Sequence, residues 1–241
     1  MKPKLMLFAI VATILSGCGG GGTASESIPG GTPSESIPPQ TTTRLIQHGD
    51  YWEYEISGTV VYNDNRSYAL RGTVTSSAAQ VSFDGETVLK ITDIVELRTN
   101  SNEVSTTVEQ WYRQKPDRSI VLLARRTDGG PIKRVLSTEN FVPGTWQVGL
   151  SQDGETLFDN NTRETFSWTV VGSQRLSVPA GRFSAWKVLQ EGYDDDIDEL
   201  YKYTEFYSPE IGAYISLTGT SETPESTTTL TFRLTRYSLS P

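Results

Sequence analysis

The densest set of chemically capable side chains is Asp194-Asp195-Asp196-Ile197-Asp198-Glu199. Asp194, Asp196 and Asp198 fall at positions one, three and five of a calcium-loop template, and Glu205 falls at position twelve. Calcium takes hard oxygen ligands, and this spacing lets a looped backbone converge them. Position six, however, is Glu199 where the template needs glycine for its sharp turn. Position nine is Lys202, and Leu200 to Tyr207 alternates like a strand. The run therefore reads first as a solvated acidic hairpin tip between strands at 182–192 and 200–207. A calcium site is the second reading.

Paired carboxylates could also act as general acid and base, as in glycoside hydrolysis. Glu53, Glu55, Glu109 and Glu205 lie near aromatic residues able to stack on sugar rings. The tryptophans and tyrosines of strands also serve as core and rim residues, and spacing alone nominates no pair. His48 is the single histidine, and with Gly49-Asp50 after it reads as an exposed entry residue. A Ser-His-Asp triad would have to use it. With one histidine and one cysteine the usual zinc sites cannot be assembled. Arg125-Arg126 and Lys133-Arg134 bracket Asp128-Gly129-Gly130-Pro131, a basic hairpin whose charges keep strand ends soluble or meet an anionic headgroup. No catalytic set emerges, and a non-enzymatic role is expected.

The lone cysteine has a different chemistry. Lys2 and Lys4 precede the apolar run Leu5 to Leu15, which is far shorter than the ~20 residues of a spanning helix. Leu15-Ser16-Gly17-Cys18 follows. That order is a secretory signal peptide over residues 1–17. Its end resembles the lipobox of bacterial lipoproteins, in which the cysteine becomes the acylated N-terminus. The resemblance implies a membrane partner held through acyl chains on Cys18, and Gly19 at the next position implies the outer membrane. The formal net charge is −8, and cleavage would remove two lysines and no acid. Such a chain does not attract nucleic acid, and its membrane attachment must rest on lipid.

Residues 18–43 read as this cysteine and a disordered linker. Gly19 to Gly22, the repeated Ser-Glu-Ser-Ile-Pro at 25–29 and 34–38, and Thr41-Thr42-Thr43 offer no apolar periodicity. From Arg44 the pattern changes to period two, and the rest reads as one domain, 44–241. Trp52, Tyr54 and Ile56 alternate with Glu53 and Glu55; Phe166, Trp168 and Val170 alternate with Ser167 and Thr169; Leu230, Phe232 and Leu234 alternate with Thr231 and Arg233. Turn signals divide these runs at Asp84-Gly85, Asn100-Ser101-Asn102, Pro116-Asp117, Asp128-Gly129-Gly130, Pro143-Gly144, Asp153-Gly154 and Asn160-Asn161. The fold class is all-β: a single large antiparallel curved sheet of roughly a dozen strands, as an open barrel or sandwich.

Two stretches are unusually definite. Val178-Pro179-Ala180-Gly181-Arg182-Phe183-Ser184-Ala185 combines strand, tight turn and strand, and Tyr207-Ser208-Pro209-Glu210-Ile211-Gly212 makes a second turn. The pairing resembles a loose group of uncharacterised bacterial envelope proteins, several of them lipoproteins. Their fold is similar to the open β-barrel of the lipoprotein-localisation carriers. The resemblance implies an envelope location, and Trp52, Trp111, Trp146, Trp168 and Trp186, more than a simple two-sheet core demands, point to a concave face for an apolar or amphiphilic ligand, such as a lipid or a lipoprotein. A module that holds a partner protein or an envelope glycan is the alternative, with the acidic loop Asp194–Glu199 as its contact. This chain departs from the carriers in showing no helix to plug the barrel mouth.

Overall fold

The computed structural model describes residues 40–100, 102–137 and 141–241. The signal peptide, Cys18 and most of the linker lie outside the described residues. Fifteen strands follow in chain order. They are β1 (Thr41–Thr42), β2 (Tyr51–Tyr62), β3 (Ser67–Phe83), β4 (Glu86–Arg98), β5 (Glu103–Gln114), β6 (Ile120–Thr127), β7 (Lys133–Arg134) and β8 (Phe141–Val142). Then come β9 (Thr145–Trp146), β10 (Ser151–Leu157), β11 (Arg163–Val178), β12 (Gly181–Asp194), β13 (Glu199–Ser208), β14 (Ala213–Glu222) and β15 (Ser226–Ser238).

Thirteen strands form one antiparallel sheet in the order β10-β11-β12-β13-β14-β15-β2-β3-β4-β5-β6-β7, with β8 beside β6. Each long strand pairs with its neighbour in sequence, as the short turns dictate. The pairing of β15 with β2 joins the two ends of the domain. The sheet curls but stays open. Its two edges meet at the single bridge Val135–Phe158, flanked by Leu136 N–H donating to the Leu157 carbonyl at 2.8 Å.

Alternation puts one side chain in two on the concave face, and those residues form the main core. Trp52, Trp146, Trp168 and Trp186 are all buried there, with Tyr201, Tyr207, Tyr214 and Phe232. Trp111 instead joins Val88 and Ala124 in a small cluster on the opposite face, where the Phe83 ring stacks on it at 5.3 Å.

The turns behave as their chemistry asks. Asn65, Asp84, Asp128, Asn161 and Asp198 all take positive φ, the region that Asn and Asp tolerate best. One expected turn is not a turn: Asp153-Gly154 lies inside β10. The Phe166 ring on β11 covers Gly154, where a Cβ would meet the ring at 2.6 Å, so close packing explains this glycine.

The segment entering the domain is built into it. Thr41, Thr42 and Thr43, read above as linker, are hydrogen-bonded across one end of the barrel. Thr41 and Thr42 pair with Trp146 and Thr145, and Thr43 N–H donates to the Gly144 carbonyl. The indole N–H groups of Trp146 and Trp186 donate to the hydroxyls of Thr43 and Thr41 at 2.8 and 2.6 Å. Farther on, Gln114 bonds both backbone groups of Ile46, and Arg44 pairs with the fully buried Asp50. Low-complexity threonines carried no sign of this, because their partners lie 75 or more residues away. Beside this strap lies the Pro209–Gly212 turn, where the Pro209 carbonyl accepts from Arg44 N–H.

Candidate functional site

The barrel interior is not uniformly apolar. At the end opposite the strap, Arg125 on β6 points inward and is 7 % exposed. Its guanidinium donates to Asp194 Oδ2 on β12 at 2.9 Å and to Glu164 Oε2 on β11 at 3.3 Å. It also lies over the Phe158 ring, 4.5 Å from the centroid. Tyr201 on β13 donates its hydroxyl to Glu164 Oε1 at 3.1 Å. Burial pushes the Glu164 carboxyl up from its ordinary value; the Arg125 charge pulls against it, and Asp194 adds to the rise. Sequence reading placed Arg125 at a soluble hairpin end. A register irregularity between Trp111 and Tyr112 shifts the pairing of β5 with β6, and Arg125 sits inside opposite Gln110.

A second polar group lies deeper. Glu205 on β13 is fully buried, and Gln190 on β12 donates its amide to both carboxyl oxygens at 3.0 and 3.1 Å. Burial pushes Glu205 up to about 8, against a Tyr214 hydroxyl bond that favours the ionised form. Stacked Tyr201 and Tyr203 rings, 5.3 Å apart, lie between this group and Arg125. A third group is Asp93 on β4, which accepts from the Ser76 hydroxyl at 2.5 Å. Burial raises Asp93 to about 7, with the Ser76 bond opposing.

Close approach makes room for the tyrosines. A Cβ on Gly192 would stand 2.4 Å from both the Thr165 carbonyl and the Tyr201 hydroxyl. Alanine in a strand ordinarily gains roughly 0.5–1 kcal/mol over glycine. Gly192→Ala is expected to reverse that sign and destabilise by about 1–3 kcal/mol, the cost of an overpacked site. Urea denaturation measures it.

The structure separates the four residues of the calcium reading. Asp194 is buried on Arg125, Asp196 is paired with Lys133, and Asp198 accepts from the Tyr193 hydroxyl. Glu205 sits inside β13, opposite Val188, while Asp194 pairs with Glu199 at the turn. At ~3.3 Å per residue that leaves Glu205 roughly 20 Å from the loop. The run is a hairpin tip, with Asp198 at a φ of 53°. No group of three or more His, Cys, Asp or Glu suited to a metal occurs among the described residues.

The glycosidase carboxylates do not converge either. Glu109 is held between Lys90 and Arg126, and Glu55 pairs with Arg233 on the outer face, whereas Glu205 points inward. His48 stays at the entry, where its ring accepts from Gln80 N–H at 3.3 Å.

Beside Arg125 the barrel end opens into a pocket of about 220 Å³. Arg125 and Asp194 line it, together with the 127–133 and 194–199 hairpins. Lys133 and Asp196 join those two hairpins across it. A broader groove of about 530 Å³ runs over β11–β14 between Leu189, Lys202 and Thr218.

No family model matches the chain, and no curated protein does. Among solved structures, a Bacteroides fragilis protein described as exported and of YmcC-like fold is similar at 13 % identity. That match covers 82 % of this chain and 99 % of the other, with a TM-score of 0.39. A Parabacteroides distasonis protein described as a lipoprotein is similar at 10 % identity, covering 82 % and 99 %, with a TM-score of 0.41. A beta-barrel-like protein from Brucella abortus, made of a domain of unknown function, is similar at 10 % identity, covering 82 % and 100 %, with a TM-score of 0.44. Likenesses this distant leave function to be read from the chain's own residues.

Proposed function

We infer that this chain is a lipid-anchored bacterial envelope lipoprotein of the outer membrane, non-enzymatic, that presents one open barrel end for binding. The observation that carries the reading is the strap. It ties residues 41–46 across one end of the barrel, which favours an anchor on that side and binding at the pocketed end. Acyl chains at Cys18 supply the attachment that a net charge of −8 cannot. The non-enzymatic reading is supported by the placement of the carboxylates raised toward neutrality. Glu205 and Asp93 are fully buried, out of a substrate's reach.

The concave face expected to hold an apolar ligand is covered by the chain's own Trp52, Trp168, Tyr203 and Phe232. That favours the alternative, an interaction module working through its loops. Asp194–Glu199 lies at the open end, as such a contact requires.

Cys18→Ala is expected to abolish incorporation of a labelled fatty acid and to move the protein from the membrane to the soluble fraction of the envelope. A photo-crosslinker at Ile197 should trap an envelope component that one at Gln47, in the strap, does not. Unchanged labelling in the variant, or equal trapping at both ends, refutes the reading.

A further inference from the structure

The pocket at the open end has an unusual lining for its size. Five charged side chains bound about 220 Å³: Arg125, Arg126, Lys133, Asp194 and Asp196. Arg126 is held by Glu109 of β5, and the other four are two cations and two anions, already matched as Arg125–Asp194 and Lys133–Asp196. Val108, Pro131 and Ile197 supply apolar wall. The inner pair is rigid, with side chains 9 and 4 % exposed, whereas the outer pair is 25 and 31 % exposed and can exchange partners with a ligand.

Charge complementarity selects the ligand. An anion alone would gain Lys133 but face Asp194 and Asp196. A cation alone would gain Asp196 but face Lys133 and Arg125. A neutral apolar molecule would strip water from these charges without replacing it. A molecule carrying one carboxylate and one ammonium at opposite ends satisfies both members of the outer pair.

We propose that this pocket binds a zwitterion of amino-acid to dipeptide size. Its carboxylate sits on Lys133, its ammonium on Asp196, and its body on Val108, Pro131 and Ile197. The inference rests on the reading of this barrel end as the binding end and names the ligand class it takes.

The test is calorimetric titration of the acylated full-length protein in detergent micelles with alanyl-alanine. N-acetyl-alanyl-alanine, alanyl-alanine amide and acetate serve as one-ended probes. Saturable binding is expected in the millimolar range, the affinity open to so small a ligand. Each one-ended probe should bind at least about tenfold more weakly. Lys133→Met and Asp196→Asn should each weaken the dipeptide by a similar factor while leaving the thermal midpoint unchanged. No saturable heat up to about 20 mM, equal affinity for acetate, or indifference to both substitutions overturns the proposal. Crosslinking at Ile197 without dipeptide binding would overturn the ligand class and leave the binding end standing.

Discussion

Replacing Arg125 with methionine is expected to destabilise the domain by about 3–5 kcal/mol, among the largest single effects in the molecule. The cause is not the lost attraction but what remains. Glu164 and Asp194 each have side chains 4 % exposed, and both would face the same low-dielectric space with no cation between them. The loss should shrink as pH falls toward the ordinary carboxylate range, because the Glu164 carboxyl, which burial already pushes up, takes a proton and sheds its uncompensated charge. Adding Glu164→Gln and Asp194→Asn to Arg125→Met should recover much of it, since removing both sides of a buried pair costs far less than removing one. Urea denaturation of the parent, the single and the triple variant at pH 4 and pH 7 reads this directly. An Arg125→Met variant within about 1 kcal/mol of the parent at neutral pH would show that the cluster is solvated.

The second large effect is a loss of stability as pH rises. Glu205 goes from an ordinary 4.5 to about 8 in the fold, and Asp93 from 3.8 to about 7. Below these ordinary values both the folded and the unfolded chain hold the protons. Between 4.5 and about 8 the unfolded chain releases the Glu205 proton while the native barrel keeps it, so unfolding is drawn forward as pH rises. Asp93 acts in the same sense between 3.8 and about 7. Each retained proton gives a slope of about −1.4 kcal/mol per pH unit within its window. The contribution of the pair is therefore fully present at acid pH and gone above pH 8. Glu205→Gln should flatten the profile between pH 5 and 8, where one slope disappears, and Asp93→Asn should flatten it below pH 7. Chemical denaturation at half-unit steps from pH 4.5 to 9 provides the test. A stability that rises monotonically over that range would mean that these carboxyls are ionised in the fold.

Both effects arise on residues that the sequence shows but does not rank. Asp93 sits in Ile91-Thr92-Asp93-Ile94-Val95, where alternation already assigns it to the same face as Ile91 and Val95. A polar residue in phase with core positions was a usable signal. Glu205 is in phase with Tyr203 and Tyr207 in the same way, yet its acidic neighbourhood drew it toward a calcium reading. Arg125 could not be found so. Its inward orientation depends on the irregularity between Trp111 and Tyr112, a one-residue offset that reverses which side chains face the core.

The all-β class, the positions of most turns and the curved antiparallel sheet were legible in the residues alone. These follow from period-two patterning and from Asn, Asp and Gly chemistry within a few residues. The expectation of a lipid anchor at Cys18 likewise rests on local order alone. Long-range packing, in contrast, places the threonines at 41–43 in the fold, makes Gly154 a packing site, and gathers two distant carboxylates on one arginine. Those outcomes depend on contacts between strands far apart in the chain, and no local pattern records which strand will supply the partner.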